Sequence, residues 1–106
     1  MQNSDKVSQL GKAMGLIGKK FDLQIIDAIS RHQNRVGFNQ LSNDIVSINP
    51  RILSVRLKEL EQNKLVKKSL IMGAPVKTEY SLTTKAKKLV PIIKELKDWA
   101  KEGDGE

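Results

Sequence analysis

Apolar residues in the first third of the chain recur at three- and four-residue steps, the period of a helix with one buried face. Val7, Leu10, Met14 and Ile17 follow that rule and predict a first helix from about Ser4, frayed or ended by Gly15 and Gly18. Phe21, Ile25, Ile26 and Ile29 repeat the pattern and predict a second helix ending near Arg31. Val36-Gly37-Phe38 is a short apolar piece in a polar neighbourhood and reads as a brief strand. Asn39 then offers a cap for a short third helix holding Leu41 and Ile45, after which Ser47-Ile48-Asn49 reads as a turn.

The next helix has clear punctuation. Asn49 suits the N-cap, Pro50 the first helical position, where its missing N–H is no loss, and Asn63 a stop after Gln62. At 100° per residue Leu57 and Leu60 fall within about 40° of Leu53, so these three make a core stripe. The opposite face carries Arg51, Val55, Lys58 and Gln62, flanked by Ile52, Ser54 and Glu59.

Beyond this helix the period shortens to two. Residues 65–72 suit a strand, Gly73-Ala74-Pro75 a turn, and Val76, Thr78, Tyr80 and Leu82 alternate with Lys77, Glu79 and Ser81, which together predict a β-hairpin. Thr83 or Thr84 can cap a last helical region whose apolar stripe is Leu89, Ile92, Ile93, Leu96 and Trp99, with Pro91 bending or dividing it. Residues 103–106 form a polar tail expected to be disordered. The expected fold is mainly α with a small β-hairpin, an α+β arrangement. Two helices joined by a tight turn and followed by a hairpin is the plan of a winged helix-turn-helix, with the hairpin as wing.

Length and charge sharpen this picture. A chain of 106 residues builds one core, so residues 1–102 are read as one domain. The formal charge is +7, and it is localised: residues 50–88 hold ten basic side chains against three acidic ones, while the rest holds nine of each. A basic excess gathered in one third of the chain favours an anionic partner. The absence of cysteine excludes disulfides, thiolate metal sites, cysteine nucleophiles and thiol-based switching. With no apolar run long enough for a bilayer, a soluble, cytoplasmic protein with no membrane partner is expected.

In a helix-turn-helix the N-terminal residues of the second helix reach base edges in the major groove. Here they are Asn49, Arg51, Ile52, Ser54 and Val55. Arginine can bond guanine O6 and N7 together, Asn49 and Ser54 a phosphate or base edge, and Ile52 or Val55 a thymine methyl. Arg56 and Lys58 are assigned to phosphates, and Lys67, Lys68 and Lys77 of the wing to the backbone or minor groove. A solvated outer face is the ordinary alternative for such a helix, and wing lysines also discourage edge pairing. Two apolar β-branched residues on the outer face argue against simple solvation.

Catalytic constellations do not assemble. His32 is a lone histidine at a helix end, where the C-terminal dipole is sufficient explanation. Gly18-Lys19 fails as a phosphate loop because Ala13 and Lys20 stand where Gly and Ser or Thr are required. Asp22, Asp27 and Asp44 lack visible metal-binding companions. No cofactor is implied, and an enzyme is the least favoured reading.

Several segments resemble regulators of the HxlR type, winged helix-turn-helix proteins of bacteria and archaea within the wider group related to MarR. They are Leu16-Ile17-Gly18-Lys19-Lys20-Phe21, Phe38-Asn39-Gln40-Leu41, the run from Pro50 to Glu61, Leu65-Val66, Glu79-Tyr80-Ser81-Leu82-Thr83, and Leu89 with Pro91 before Trp99. The resemblance implies a homodimeric, sequence-specific regulator acting on double-stranded DNA at an inverted-repeat operator, associated with the nucleoid. It places the helix-turn-helix at 39–62, the wing at 65–82 and the dimer contact on Val7, Leu10 and Met14 with Leu89, Ile93 and Leu96. It also has gaps: the cysteine that many members carry near the N-terminus is missing, Phe21 replaces the usual tryptophan, and Ile52 and Val55 stand where polar residues are common. A non-specific architectural binder and a protein-interaction module facing an acidic partner are the competing expectations.

Overall fold

The computed structural model describes residues 8–33 and 35–103. Helix α1 (Gln9–Ile17) opens at Ser8, whose hydroxyl accepts the Gly11 N–H at 2.8 Å. The expected start near Ser4, and Val7 with it, lie outside the described residues, as do residues 104–106 of the expected tail, whose first residue, Gly103, is instead helical. Gly18 ends the helix, where a Cβ would come within 2.4 Å of the Met14 carbonyl oxygen, so only glycine fits. Phe21 then takes a left-handed backbone (φ 80°) and the chain enters α2 (Asp22–Arg31). Ile25, Ile26, Ala28 and Ile29 are completely buried, which makes α2 the helix around which the core is built.

Strand β1 (Val36–Gly37) runs directly into α3 (Phe38–Asp44). The cap position belongs to Gly37, with extended backbone and no side-chain bond, and not to Asn39 as its composition led us to expect. The strand hands its last extended residue to the helix, which leaves no place for a separate cap. Ile45 and Ile48 are both buried, so the chain reverses between two core anchors, with Ser47 in the left-handed region (φ 69°). Helix α4 (Pro50–Gln62) begins as predicted: Asn49 accepts the Ile52 N–H at 2.8 Å, and Pro50 takes the first position.

The hairpin is β2 (Val66–Ile71) and β3 (Lys77–Leu82), and with β1 it makes a three-stranded antiparallel sheet in the order β1-β3-β2. Val66 faces Leu82 and Lys68 faces Tyr80 across the ladder, while Val36 faces Tyr80 from the other side. Only the root is buried; β2 is exposed from Lys67 outward. Thr83 fixes the exit from the wing, donating from Oγ1 to the Lys64 carbonyl at 2.8 Å and accepting from the Ala86 N–H at 3.2 Å. It thereby caps α5 (Thr84–Lys87), which α6 (Leu89–Gly103) follows.

The break between these helices falls at Lys88 and not at Pro91. Proline has no N–H for the carbonyl four residues back and its ring crowds that group, so the interruption appears one turn earlier, at residues 87–88. The radius of gyration is 15.5 Å, against about 13 Å for a compact domain of this length, and the extents are 50 × 45 × 24 Å. Helices and wing extend beyond what one core can cover.

Candidate functional site

The outer face of α4 is open to solvent along its whole N-terminal half. Arg51, Ser54 and Lys58 are exposed, and Ile52 and Val55 keep 39% and 58% of their surface open to solvent. Asn49, also exposed, spends its side-chain oxygen on the cap and keeps its amide N–H groups outward. Leu53, Leu57 and Leu60 are each at most 1% exposed on the other side, so core and outer face divide as the helical wheel requires.

Arg56 corrects the sequence reading. Its charge and position on α4 suit a phosphate, yet its side chain is turned inward and only 11% exposed. Its Nε donates to Oδ1 of Asp22 at 2.9 Å and its Nη2 to Oδ2 at 3.3 Å, and Nη2 also reaches Glu59. Asp22 is fully buried at the first position of α2 and also accepts the Lys19 N–H at 3.2 Å. Glu59, with Asp22 behind it, raises the Arg56 pKa above its ordinary value against the opposing effect of burial, and Arg56 holds the Glu59 carboxyl below its usual range. A buried guanidinium committed to two carboxylates is not free to meet a phosphate. Two signals in the sequence pointed to this. Asp22 lies on the same helical face as Ile25, Ile26 and Ile29, and Arg56 lies about 60° from Leu53, at the edge of the core stripe.

The remaining nine basic side chains of residues 50–88 are all exposed, and among the described residues none forms a salt bridge. Lys67, Lys68 and Lys77 on the wing belong to this set. The acidic group of the wing is taken out of play: Glu79 accepts from Arg35 Nε at 2.8 Å, a partner outside the basic segment. Between the lysines the tip is apolar, with Leu70, Met72 and Val76 exposed.

Apolar side chains are also exposed on α1 and α6. Leu10 on α1 and Trp99 on α6 show 70% and 72% of their area, with Met14, Ile92 and Leu96 also exposed. Ile93, expected on this surface, is instead buried in the core of its own chain, and Leu89 is half-buried against that core. The stripe on α6 rotates outward between the two, so Ile92, Leu96 and Trp99 face solvent. Charges beside it are paired: Lys97 Nζ donates to Asp27 at 2.8 Å and Arg31 sits 3.5 Å from the same carboxylate.

His32 caps α2 and reaches Asp44 of α3 through Nε2, while Gln40 donates to the other oxygen of Asp44 at 2.9 Å. These hydrogen bonds lower the Asp44 pKa from its usual value, that from His32 contributing most. The histidine therefore ties α2 to the first helix of the helix-turn-helix. No cluster of three or more metal-ligating side chains occurs among the described residues, and none of their helices is long and apolar enough to cross a membrane.

A helix-turn-helix with an exposed second helix and a basic hairpin beside it is the architecture of winged-helix regulators. The model of the HxlR-like helix-turn-helix family matches residues 16–105, and the chain belongs to that family of DNA-binding transcriptional regulators. It is similar to the uncharacterized HTH-type transcriptional regulator YvaP of Bacillus subtilis, with 35% identity over 102 residues, 96% of this chain and 93% of that protein. The HTH-type transcriptional regulator YodB of Bacillus subtilis is 34% identical over 92 residues, 87% of this chain and 80% of YodB. Among solved structures, a MarR-family regulator from Porphyromonas gingivalis W83 superposes with a TM-score of 0.83 at 31% identity, covering 92% of this chain and 94% of that one. The reduced form of YodB gives 0.72 at 32% identity, covering 88% and 90%.

Proposed function

We propose that two copies of this chain join through α1 and α6 and place their α4 helices in successive major-groove turns of an inverted-repeat operator. Each wing then lies on the backbone or adjacent minor groove. Arg51, Ile52, Ser54 and Val55, with Asn49, meet base edges, and Lys58, Lys67, Lys68 and Lys77 meet phosphates. Arg56 is left out of this set for the reason given above. The protein works in the cytoplasm, on the nucleoid.

The observation that carries the DNA-facing half is the set of nine exposed basic side chains without an acidic partner, gathered on α4, the wing and α5. Elsewhere among the described residues Arg31, Arg35, Lys94 and Lys97 are paired with carboxylates and Lys12, Lys19, Lys20 and Lys101 are not, so unpaired cations are denser in residues 50–88 than outside them. Unpaired cations in one region favour counterion release from a polyanion. The dimer half is supported by α1, a nine-residue helix that buries none of its residues. Only Leu16 and Ile17 at its end pack against the core of the same chain; a helix that short is marginal in water, and a second copy would supply the rest of a packed face.

The test is a salt titration with competitor duplex. Binding should fall linearly on a log–log plot against salt, and the preferred site should beat bulk DNA by roughly a thousandfold or more. An architectural protein would show the first property without the second. Failure to bind duplex at low salt would leave an acidic protein as the partner of the basic face.

A further inference from the structure

The ion triad beneath α4 is the feature that neither the core nor the DNA-facing surface accounts for. Leu53, Leu57 and Leu60 suffice to bury the helix, but apolar contact is non-directional and leaves rotation about the helix axis weakly defined. The guanidinium fork of Arg56 is directional: two nitrogens meet two oxygens of one carboxylate, at 2.9 and 3.3 Å, a geometry that fixes both height and azimuth. The carboxylate is itself held. Asp22 is completely buried, it accepts the Lys19 N–H at 3.2 Å, and the residue before it, Phe21, sits buried in a left-handed backbone. A bulky residue stays in that conformation only where its surroundings over-determine it. The anchor is therefore stiff at the α2 end, and Glu59 steadies the guanidinium from the α4 end. Arg56 also follows Val55 directly, one residue from the outer face.

We propose that Asp22 and Arg56 are positioning residues for sequence reading: their pair sets the rotation of α4, and so decides whether Arg51, Ile52, Ser54 and Val55 meet base edges in register. The proposal rests on the assignment of α4 to the major groove. Its signature is a loss of discrimination without a loss of general affinity, because phosphate contacts tolerate a rotated helix and base contacts do not.

Two variants separate this from a merely structural role. Arg56→Lys keeps the charge but loses the fork, and the double change Asp22→Leu with Arg56→Met replaces the pair by apolar groups, an exchange that buried ion pairs tolerate. Each is measured against a wild-type-selected site and against random duplex, over a range of salt, with thermal melting as a check on folding. The expected result is a drop of about tenfold or more in the ratio of specific to non-specific affinity, with random-duplex affinity and salt slope unchanged, since one misplaced base contact carries about that discrimination. A ratio unchanged in a folded variant overturns the proposal, as does a uniform loss with the salt slope lowered by about one, which would make Arg56 a phosphate ligand. Failure of both variants to fold would make the pair a stability element alone and would also overturn it. If the wild-type protein itself selected no site, the major-groove assignment would fail first, and the two failures are thereby told apart.

Discussion

The segment from α4 through α5 and the two terminal helices, α1 and α6, both expose side chains that water or a lone chain leaves unsatisfied, but of opposite kinds. The first exposes cations without carboxylates; the second exposes Leu10, Met14, Ile92, Leu96 and Trp99, with Lys94 and Lys97 beside them paired to Asp98 and Asp27. In the proposed reading the first meets a polyanion and the second a copy of itself. Their separation matters because a regulator must hold its reading helices at a fixed spacing while leaving their outer faces free.

The largest effect should come from breaking the apolar surface. A Leu96→Asp change buries a charge in any two-fold contact and should give a monomeric mass in sedimentation, with operator affinity down by a hundredfold or more, on the order of the avidity lost with one half-site. Sedimentation as a dimer would contradict the assignment of that surface. Next comes the buried pair: Asp22→Ala leaves Arg56 with Glu59 alone and should cost about 3 kcal/mol in urea unfolding, the low end for breaking a buried pair because one carboxylate remains. Arg51→Ala should remove about 1–3 kcal/mol of preference at one base position and leave folding unchanged, read by competition with single-base operator variants. Lys68→Ala should weaken every duplex alike and lower the salt slope by about one, which separates the phosphate-contacting part of the basic surface from the reading part.

The smallest expected effect concerns pH. The bonds from His32 and Gln40 hold the Asp44 pKa below its usual 3.8, so its contribution to stability is complete above about pH 4 and lost as the carboxyl takes a proton in more acid solution. His32→Gln should therefore flatten the acid limb of a stability–pH curve and leave neutral-pH DNA binding intact. A steeper acid limb in the variant would contradict the pairing.

Local signals were enough to read most of the fold. The periods of 3.6 and 2, the Asn49-Pro50 start of α4, and the turn at Gly73-Ala74-Pro75 are encoded within a few residues of where they act, and the elements formed there. What local reading missed depends on distant partners. Arg56 looks like a phosphate ligand until Asp22, 34 positions earlier, is brought beneath it. Ile93 looks like part of the outer stripe until the core of the same chain takes it. Proline position was legible but its consequence was displaced by one turn, because the lost hydrogen bond belongs to the carbonyl four residues back. The exposed face of α4 was legible in its wheel, since exposure there follows directly from which residues the three leucines exclude from the core.

Selection of bound sequences from a random duplex pool tests the central claim most directly, that two α4 helices held by α1 and α6 read DNA through Arg51, Ile52, Ser54 and Val55. The account predicts an inverted repeat with half-site centres about one helical turn, roughly 34 Å, apart, and an Arg51→Ala protein that keeps the repeat but relaxes one position in each half. A pool that shows no enrichment, or a site without two-fold symmetry, would contradict it.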